Sequence, residues 1–572
     1  MVDAHLMELV SFSDVLWRRW LRCIIWHSVI SSIMWLLWEL LCPSFGSNHR
    51  WRLILLPTLI TFIGYILFLT AQLLFIVGET LVLQPESKDS ASVGELVVGI
   101  STLAWRAALG GTSQGDLAFR IADLVQKMEA LRDRVLFIIL CIASGCLSLL
   151  SLGSPMYSYL GSLGMLDMSL RGAILGLFYG LWYIYQKRYV ITFPIIQRRL
   201  FFSFKLGLAK AIHIALKTSL LMLPMAEILL RILHSDMVGG RIIRRIPRSF
   251  LFWHQVVHFL GAFLITFCWE SCHHLIQVIQ TKRHVFAPPL GSAAAETNPV
   301  GPLLSILEEA DNLFLRYLAF LDLSIISEVS ERNVESWRRA ALFEETGETY
   351  RRIIGVSLQP LDNLAMKLVR GLEIVKSEKS GDILMQQMQS PNAQGKATYG
   401  GNLKELFRDF QLCAWSARTV AALTACSRTE DRYGVAQLTR SNGAVMSTLI
   451  SCLLVVEVYL GRRSSLQPLS FAGPNGIKWA VPYRGALMEV DRKSLPFRKK
   501  SSLHKKGHAM ADVLRTAIYR IVTVFRDEML IQGSGSRGFS VAERDWLSKD
   551  KLLFGTYEMH LQKLHQLLEF KE

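Results

Sequence analysis

Residues 21–41 read LRCIIWHSVISSIMWLLWELL, a run with no formal charge between Arg22 and Glu39. At about 1.5 Å of rise per residue such a run crosses a hydrocarbon layer of about 30 Å as one helix. Its flanks agree with that reading. Arg18, Arg19 and Arg22 mark one end, and Trp17 and Trp20 at the entry with Trp35 and Trp38 near the exit suit the two aromatic belts of a bilayer. His27 and Glu39 fall toward the ends, where polar groups reach headgroups at lower cost. No small-residue cleavage site precedes a soluble domain, so the segment is expected to insert as an uncleaved anchor.

Working outward, the same pattern recurs. The chain has 572 residues, 51% hydrophobic and 19% charged, with a mean hydropathy of +0.31, too apolar for an ordinary soluble protein. Charges are sparse up to about residue 280 and frequent after it. Further spans are expected at 53–77, 135–152, 165–186, 206–230 and 250–275. In the fourth, Asp167 and Arg171 are spaced to neutralise each other on one helix face. The fifth holds Lys210, Lys217, Pro224 and Glu227, with Arg231 one turn beyond Glu227 as its expected partner. Small residues Ala143, Ser144 and Gly145 in the third invite close helix packing.

Six spans put both termini on one side of the membrane. Lys and Arg near the span ends favour the cytoplasmic side, with one loop against, Arg241, Arg244, Arg245 and Arg248. A shorter apolar stretch at 96–109 reads as an interfacial helix.

Residues 1–282 therefore read as a transmembrane domain and 283–301, rich in Pro and Ala, as a linker. Residues 302–572 read as a soluble α-helical domain, so the fold class is all-α, a polytopic membrane helix bundle followed by that helical domain. Apolar residues recur at helical spacing over 303–329, 333–345, 347–377, 402–437, 440–460, 508–531 and 541–569, and 378–401 and 461–507 read as long loops. The apolar run at 445–460 contains Glu457 and is short for a span; a buried core helix is the expected reading.

Chemistry-bearing motifs are few. The nine cysteines include no CxxC pair, which removes the usual warrant for zinc-ribbon or redox readings. Residues 533–538, GSGSRG, match GxGxxG in letters only and read as a connector. His254 and His258 with Glu227 and Glu270 are the nominees for a transporter or a lipid-modifying enzyme, the alternative function, and His254 and His258, four apart and followed by Glu270, His273 and His274, for an intramembrane metal or proton-relay centre. No catalytic, cofactor-binding or metal site is expected. The net charge of +16 suits anionic lipid surfaces. The densest basic run is Arg492, Lys493, Arg498, Lys499, Lys500, Lys505 and Lys506, a candidate contact for membrane or phosphate.

From 318 to 353 the chain reads LAFLDLSIISEVSERNVESWRRAALFEETGETYRRI. This stretch, through Phe320, Asp322, Arg338, Arg339 and Phe343, resembles the transmembrane nucleoporins of the nuclear division cycle (Ndc) family, most of all their plant branch. The resemblance implies a membrane anchor in the nuclear envelope at the nuclear pore, both termini facing the pore side, that supports pore assembly and transport of protein and mRNA. It also implies a place in a large symmetric assembly and soluble nucleoporin partners, a β-propeller type and a linker type with an amphipathic helix, besides membrane lipids and without direct nucleic-acid binding. The five residues would belong to the domain's core or to its partner face. Only two Phe-Gly pairs occur, Phe45-Gly46 and Phe554-Gly555, too few for a repeat-rich permeability mesh.

Overall fold

A computed structural model describes residues 2–41, 55–85, 114–153, 157–194, 197–235, 248–288, 291–309, 312–329, 336–385, 407–465, 502–529, 546–548 and 551–568. The chain forms two compact units, Met1–Arg283 and His284–Glu572.

Among its described residues the first unit has six long helices: α1 (Val2–Leu41), α2 (Leu55–Val82), α3 (Gln114–Leu152), α4 (Tyr157–Tyr185), α5 (Leu200–Ser235) and α6 (Arg248–Gln280). Each is longer than the apolar run that announces it, because helical hydrogen bonding continues past the hydrophobic boundary. The clearest case is α2, which continues beyond 77 and so carries Glu79 inside the helix. Stretches Asp14–Leu41, Thr61–Val82, Met128–Leu152, Leu200–Leu229 and Gln255–Gln280 are long and apolar enough to cross a membrane. Gly, Tyr and Arg171 make α4 less apolar than these, and it lies inside the unit with Tyr179 and Tyr183 fully buried.

Aromatic stacking fills the centre: Phe75 lies over Trp269 with ring centroids 5.1 Å apart, and Tyr179 meets Trp269 at 4.8 Å. Hydrogen bonds between small polar side chains tie neighbouring helices, Ser32 to Tyr65 and Ser219 to Thr266 at 2.8 Å, Gln72 to Ser148 at 3.0 Å. Between α3 and α4 the backbones touch. A Cβ built on Gly145 would lie 2.2 Å from the Gly172 carbonyl oxygen, and one on Gly176 would lie 2.1 Å from that of Cys141. At the other edge the Arg19 guanidinium donates to the carbonyls of Gln280 (2.7 Å) and Lys282 (2.8 Å), satisfying acceptors at the end of α6 that a helix terminus leaves open. The outward faces are apolar: Leu36, Phe62, Ile139, Phe201, Leu206, Leu220 and Ile228 are all exposed. That surface suits lipid as its solvent.

The second unit is helical throughout its described residues: α7 (Ala293–Thr297), α8 (Gly301–Glu309), α9 (Leu313–Glu328), α10 (Ser336–Ala340), α11 (Glu348–Met385), α12 (Phe410–Glu430), α13 (Val435–Leu438), α14 (Ser441–Ser465), α15 (Ser502–Met529) and α16 (Tyr557–Leu568). Two expected helices are divided. The Asn312 side chain accepts from the Phe314 amide and starts α9 anew, so 303–329 is two helices. Asp431 accepts from the amides of Val435 and Ala436, with Gly434 at φ +67°, so 402–437 is also two. The stretch expected as a linker, 283–301, is packed into this unit: Phe286 and Val300 are buried. Basic-loop and loop positions 466–501, and the helix expected at 96–109, lie outside the described residues.

Ser441–Gly461 is also long and apolar enough to cross a membrane, but 78% of its apolar window is buried inside the second unit. Among the described residues of this unit the exposed large apolar side chains are only Val285, Met366, Tyr433, Leu438 and Met559, so its surface is polar while its centre is the apolar α14. Polar anchors hold the chain around α14: Ser447 Oγ accepts from the Ser548 amide at 2.8 Å, and Ser451 contacts His560 Nε2 at 2.8 Å. His560 Nδ1 faces the Thr556 carbonyl at 3.0 Å and must carry the proton, so Nε2 accepts from Ser451.

Burial holds the His560 imidazole below its ordinary value of 6.5. The unfolded chain therefore takes up the proton first. The stability this neutral ring supports is complete above about pH 6.5 and is lost as the pH falls below it. In the full chain in detergent, labelling of buried Cys452, divided at each pH by the rate of the unfolded chain, should rise between pH 7 and pH 5.5, and His560→Gln should flatten that dependence; an unchanged slope would remove His560 as the cause.

Candidate functional site

The motif at 319–343 sits at a joint of the second unit. Its AFLDL segment is in the interior of α9, and the two arginines project in different directions from the short α10. Asp322 is 0% exposed and Arg338 2%. Arg338 Nη2 donates to Asp322 Oδ2 at 3.0 Å and to the Phe286 carbonyl at 2.9 Å, while the Phe286 amide donates to the same carboxylate oxygen at 3.0 Å. One buried ion pair thus grips both backbone groups of Phe286. This fastens the chain entering the unit to α9 and α10.

Arg339 takes the other direction. Its Nε donates to Glu430 Oε2 at 2.8 Å, and its remaining nitrogens bond Glu430 Oε1 and the Val329 carbonyl, joining α10 to the end of α12 and the end of α9. Phe320 is fully buried, and Phe343 stacks on Tyr350 with centroids 5.2 Å apart. All five motif side chains are buried. This packing is the one that the expected core role calls for.

Two further ionic joints are exposed or half-buried. Glu328 receives Arg418 and, at 3.7 Å, Arg520, and Glu457 receives Arg515 and Lys563, each at 2.9 Å. Lys505 and Lys506 are exposed on α15. Arg492, Lys493, Arg498, Lys499 and Lys500 lie outside the described residues, as do Arg241, Arg244 and Arg245.

The ionisable groups of the bundle form helix-to-helix pairs. Glu79 Oε1 on α2 meets His273 Nδ1 at 2.6 Å and accepts from the Tyr183 hydroxyl at 3.1 Å. Glu270 on α6 accepts from the Tyr179 hydroxyl at 2.9 Å and from Arg188 at 2.7 Å. Arg188 also lies over the Trp182 ring at 4.9 Å. Glu227 bonds Arg171 of α4 and Gln255 of α6, the latter at 2.6 Å; the side chain of Arg231, its expected partner, lies outside the described residues. Asp167 meets Arg171 at 2.8 Å, so one arginine serves two carboxylates.

Glu227 and Glu270 serve separate pairs, His258 is buried on α6, and the side chain of His254 lies outside the described residues. Among the described residues no three His, Cys, Asp or Glu side chains are grouped to hold a metal ion. Sequence reading did not single out Glu79, Tyr179 or Tyr183. The available signal was a carboxylate trailing an apolar run and two tyrosines four apart on one helix face.

The profile of the family described as nucleoporin protein Ndc1-Nup matches residues 168–405, from the Arg171 pair on α4 through the Asp322–Arg338 joint. Over that stretch the chain is similar to the Ndc1 nucleoporins. Nucleoporin NDC1 of Homo sapiens and of Pongo abelii are each 27% identical to it over 172 residues, 30% of this chain and 18% of theirs. The Mus musculus protein of the same name is 28% identical over 172 residues, 30% of this chain and 19% of its own length. The aligned stretch therefore covers less than a fifth of the length of these Ndc1 relatives.

Proposed function

We propose that the chain is a structural anchor of the nuclear pore membrane, tethering soluble nucleoporins and supporting pore assembly and transport. The observation that carries this reading is the run of the Ndc1-type match, 168–405, from a bundle with an apolar outer face into a helical unit with a polar one. The bundle supplies a hold on the bilayer that does not dissociate on the timescale of assembly. The polar unit offers docking surfaces whose individual weakness is offset by repetition in a symmetric assembly. Its partners are other nucleoporins, of β-propeller and of amphipathic-helix linker type, and the termini face the cytosol and pore.

The test is imaging of a C-terminally tagged chain in cells whose plasma membrane alone is permeabilised. Punctate rim signal reached by antibody from the cytosol is expected. Diffuse reticular signal would remove the pore assignment, and a tag sealed from the cytosol would mean an odd number of spans.

A further inference from the structure

The turn after α4, the start of α5 and the last turns of α6 enclose a cavity of about 700 Å³ within the bundle. Five basic side chains line it, Lys187, Arg188, Arg198, Lys210 and Lys282, against a single carboxylate, Glu270. Glu270 is already held by Arg188 and Tyr179. The other four cations enter no ion pair among the described residues. Lys187 adopts φ +53°, a left-handed conformation disfavoured for any residue with a Cβ, in the tight turn that also sends Arg188 back onto Glu270.

All four of these cations are exposed, so they reach the cavity from its open side. Lys210 lies about 15 Å along α5 from the helix start at Leu200. A cation that far into a membrane helix persists where it snorkels to the interface or an anion meets it. The lining then turns apolar at Leu206, Ala211 and Ile214, and Leu206 is continuous with the exposed Leu216 and Leu220 on the outer face of the same helix. Cations clustered beside a lipid-facing apolar track match a headgroup and its acyl chain.

We propose that this cavity binds the phosphate headgroup of an anionic phospholipid, with an acyl chain along the outer face of α5. Ammonium and guanidinium donors without a competing free carboxylate suit a multiply charged phosphate. A soluble phosphate compound shares that chemistry; the apolar track favours the lipid. The proposal requires a membrane-embedded bundle and is independent of the pore assignment.

Native mass spectrometry of the full chain, purified in mild detergent and stripped of lipid, tests it by titration with phosphatidylinositol 4-phosphate, phosphatidylcholine and inorganic phosphate. One phosphoinositide per chain should bind well ahead of phosphatidylcholine. The variant Lys187→Gln/Arg198→Gln/Lys210→Gln should bind it roughly a hundredfold more weakly. Lys210→Gln alone should lose roughly fivefold, which keeps the test available if the triple variant aggregates. Removing three exposed cations elsewhere, Arg18→Gln/Arg22→Gln/Arg132→Gln, should leave binding unchanged. Equal binding of phosphatidylcholine, or equal loss in this last variant, overturns the proposal. Inorganic phosphate that displaces the lipid at similar concentration overturns the lipid assignment and makes the cavity a site for soluble phosphate.

Discussion

Arg338→Ala is expected to destabilise the second unit by about 3–5 kcal/mol, because removing one partner of a buried pair leaves the other charge uncompensated. Asp322 is 0% exposed and holds the Phe286 amide as well as Arg338, so the loss also loosens the chain entering the unit. Asp322→Ala should cost a similar amount. Arg338→Met/Asp322→Leu should cost less than either, since no charge is left stranded. The readout is denaturant-dependent labelling of Cys413 and Cys452, both buried in this unit, in the detergent-solubilised full chain. A change below about 1 kcal/mol for Arg338→Ala would be typical of an exposed ion pair and would remove the joint from the account.

The second large effect belongs to the membrane unit. Gly176→Leu should prevent recovery of a monodisperse chain, because its Cβ would lie 2.1 Å from the Cys141 carbonyl oxygen, a backbone atom that no rotamer change moves. Gly172→Leu should behave alike, its Cβ meeting the Gly145 carbonyl at 2.2 Å. Relief requires α3 and α4 to separate, which forfeits close backbone packing along their shared length. Gly355→Ala is the contrasting change: nothing lies within 4 Å of its Cβ on α11, and removing a helical glycine should add about 0.5–1 kcal/mol. Size-exclusion profiles and total expression in parallel would separate the cases. Normal recovery of Gly176→Leu would mean that the two helices do not touch in the membrane.

What the sequence announced and what it withheld follow from the range of the interactions. Hydropathy is local, so the apolar runs around residues 21–41 and 250–275 could be read directly. The Asp167–Arg171 pair, one turn apart, was equally plain. Glu227 was given Arg231 by the same local rule; its bond to Arg171, 56 residues away, is one that no spacing rule reaches. The breaks at Asn312 and at Asp431 were missed because an apolar helical period continues across both; the side-chain caps that start a new helix interrupt it without changing the period. For the motif, residue types carried the resemblance but not the packing. An arginine pair beside Asp322 fits a surface as well as an interior until the carbonyl of Phe286 is seen between them.

The guanidinium of Arg19 has a consequence for how the chain is made. Its principal acceptor, the carbonyl of Gln280, lies 261 residues downstream. At roughly 5–20 residues per second of translation, the ribosome needs tens of seconds to reach it. During that interval α1 is already made, with a cation near its start that has no α6 to clasp. Closure of the bundle is therefore a late event in biosynthesis, and its first and last helices meet only once the whole membrane half has emerged. A nascent chain halted before residue 280 would leave that first helix open to the quality-control machinery of the membrane in which it is inserted.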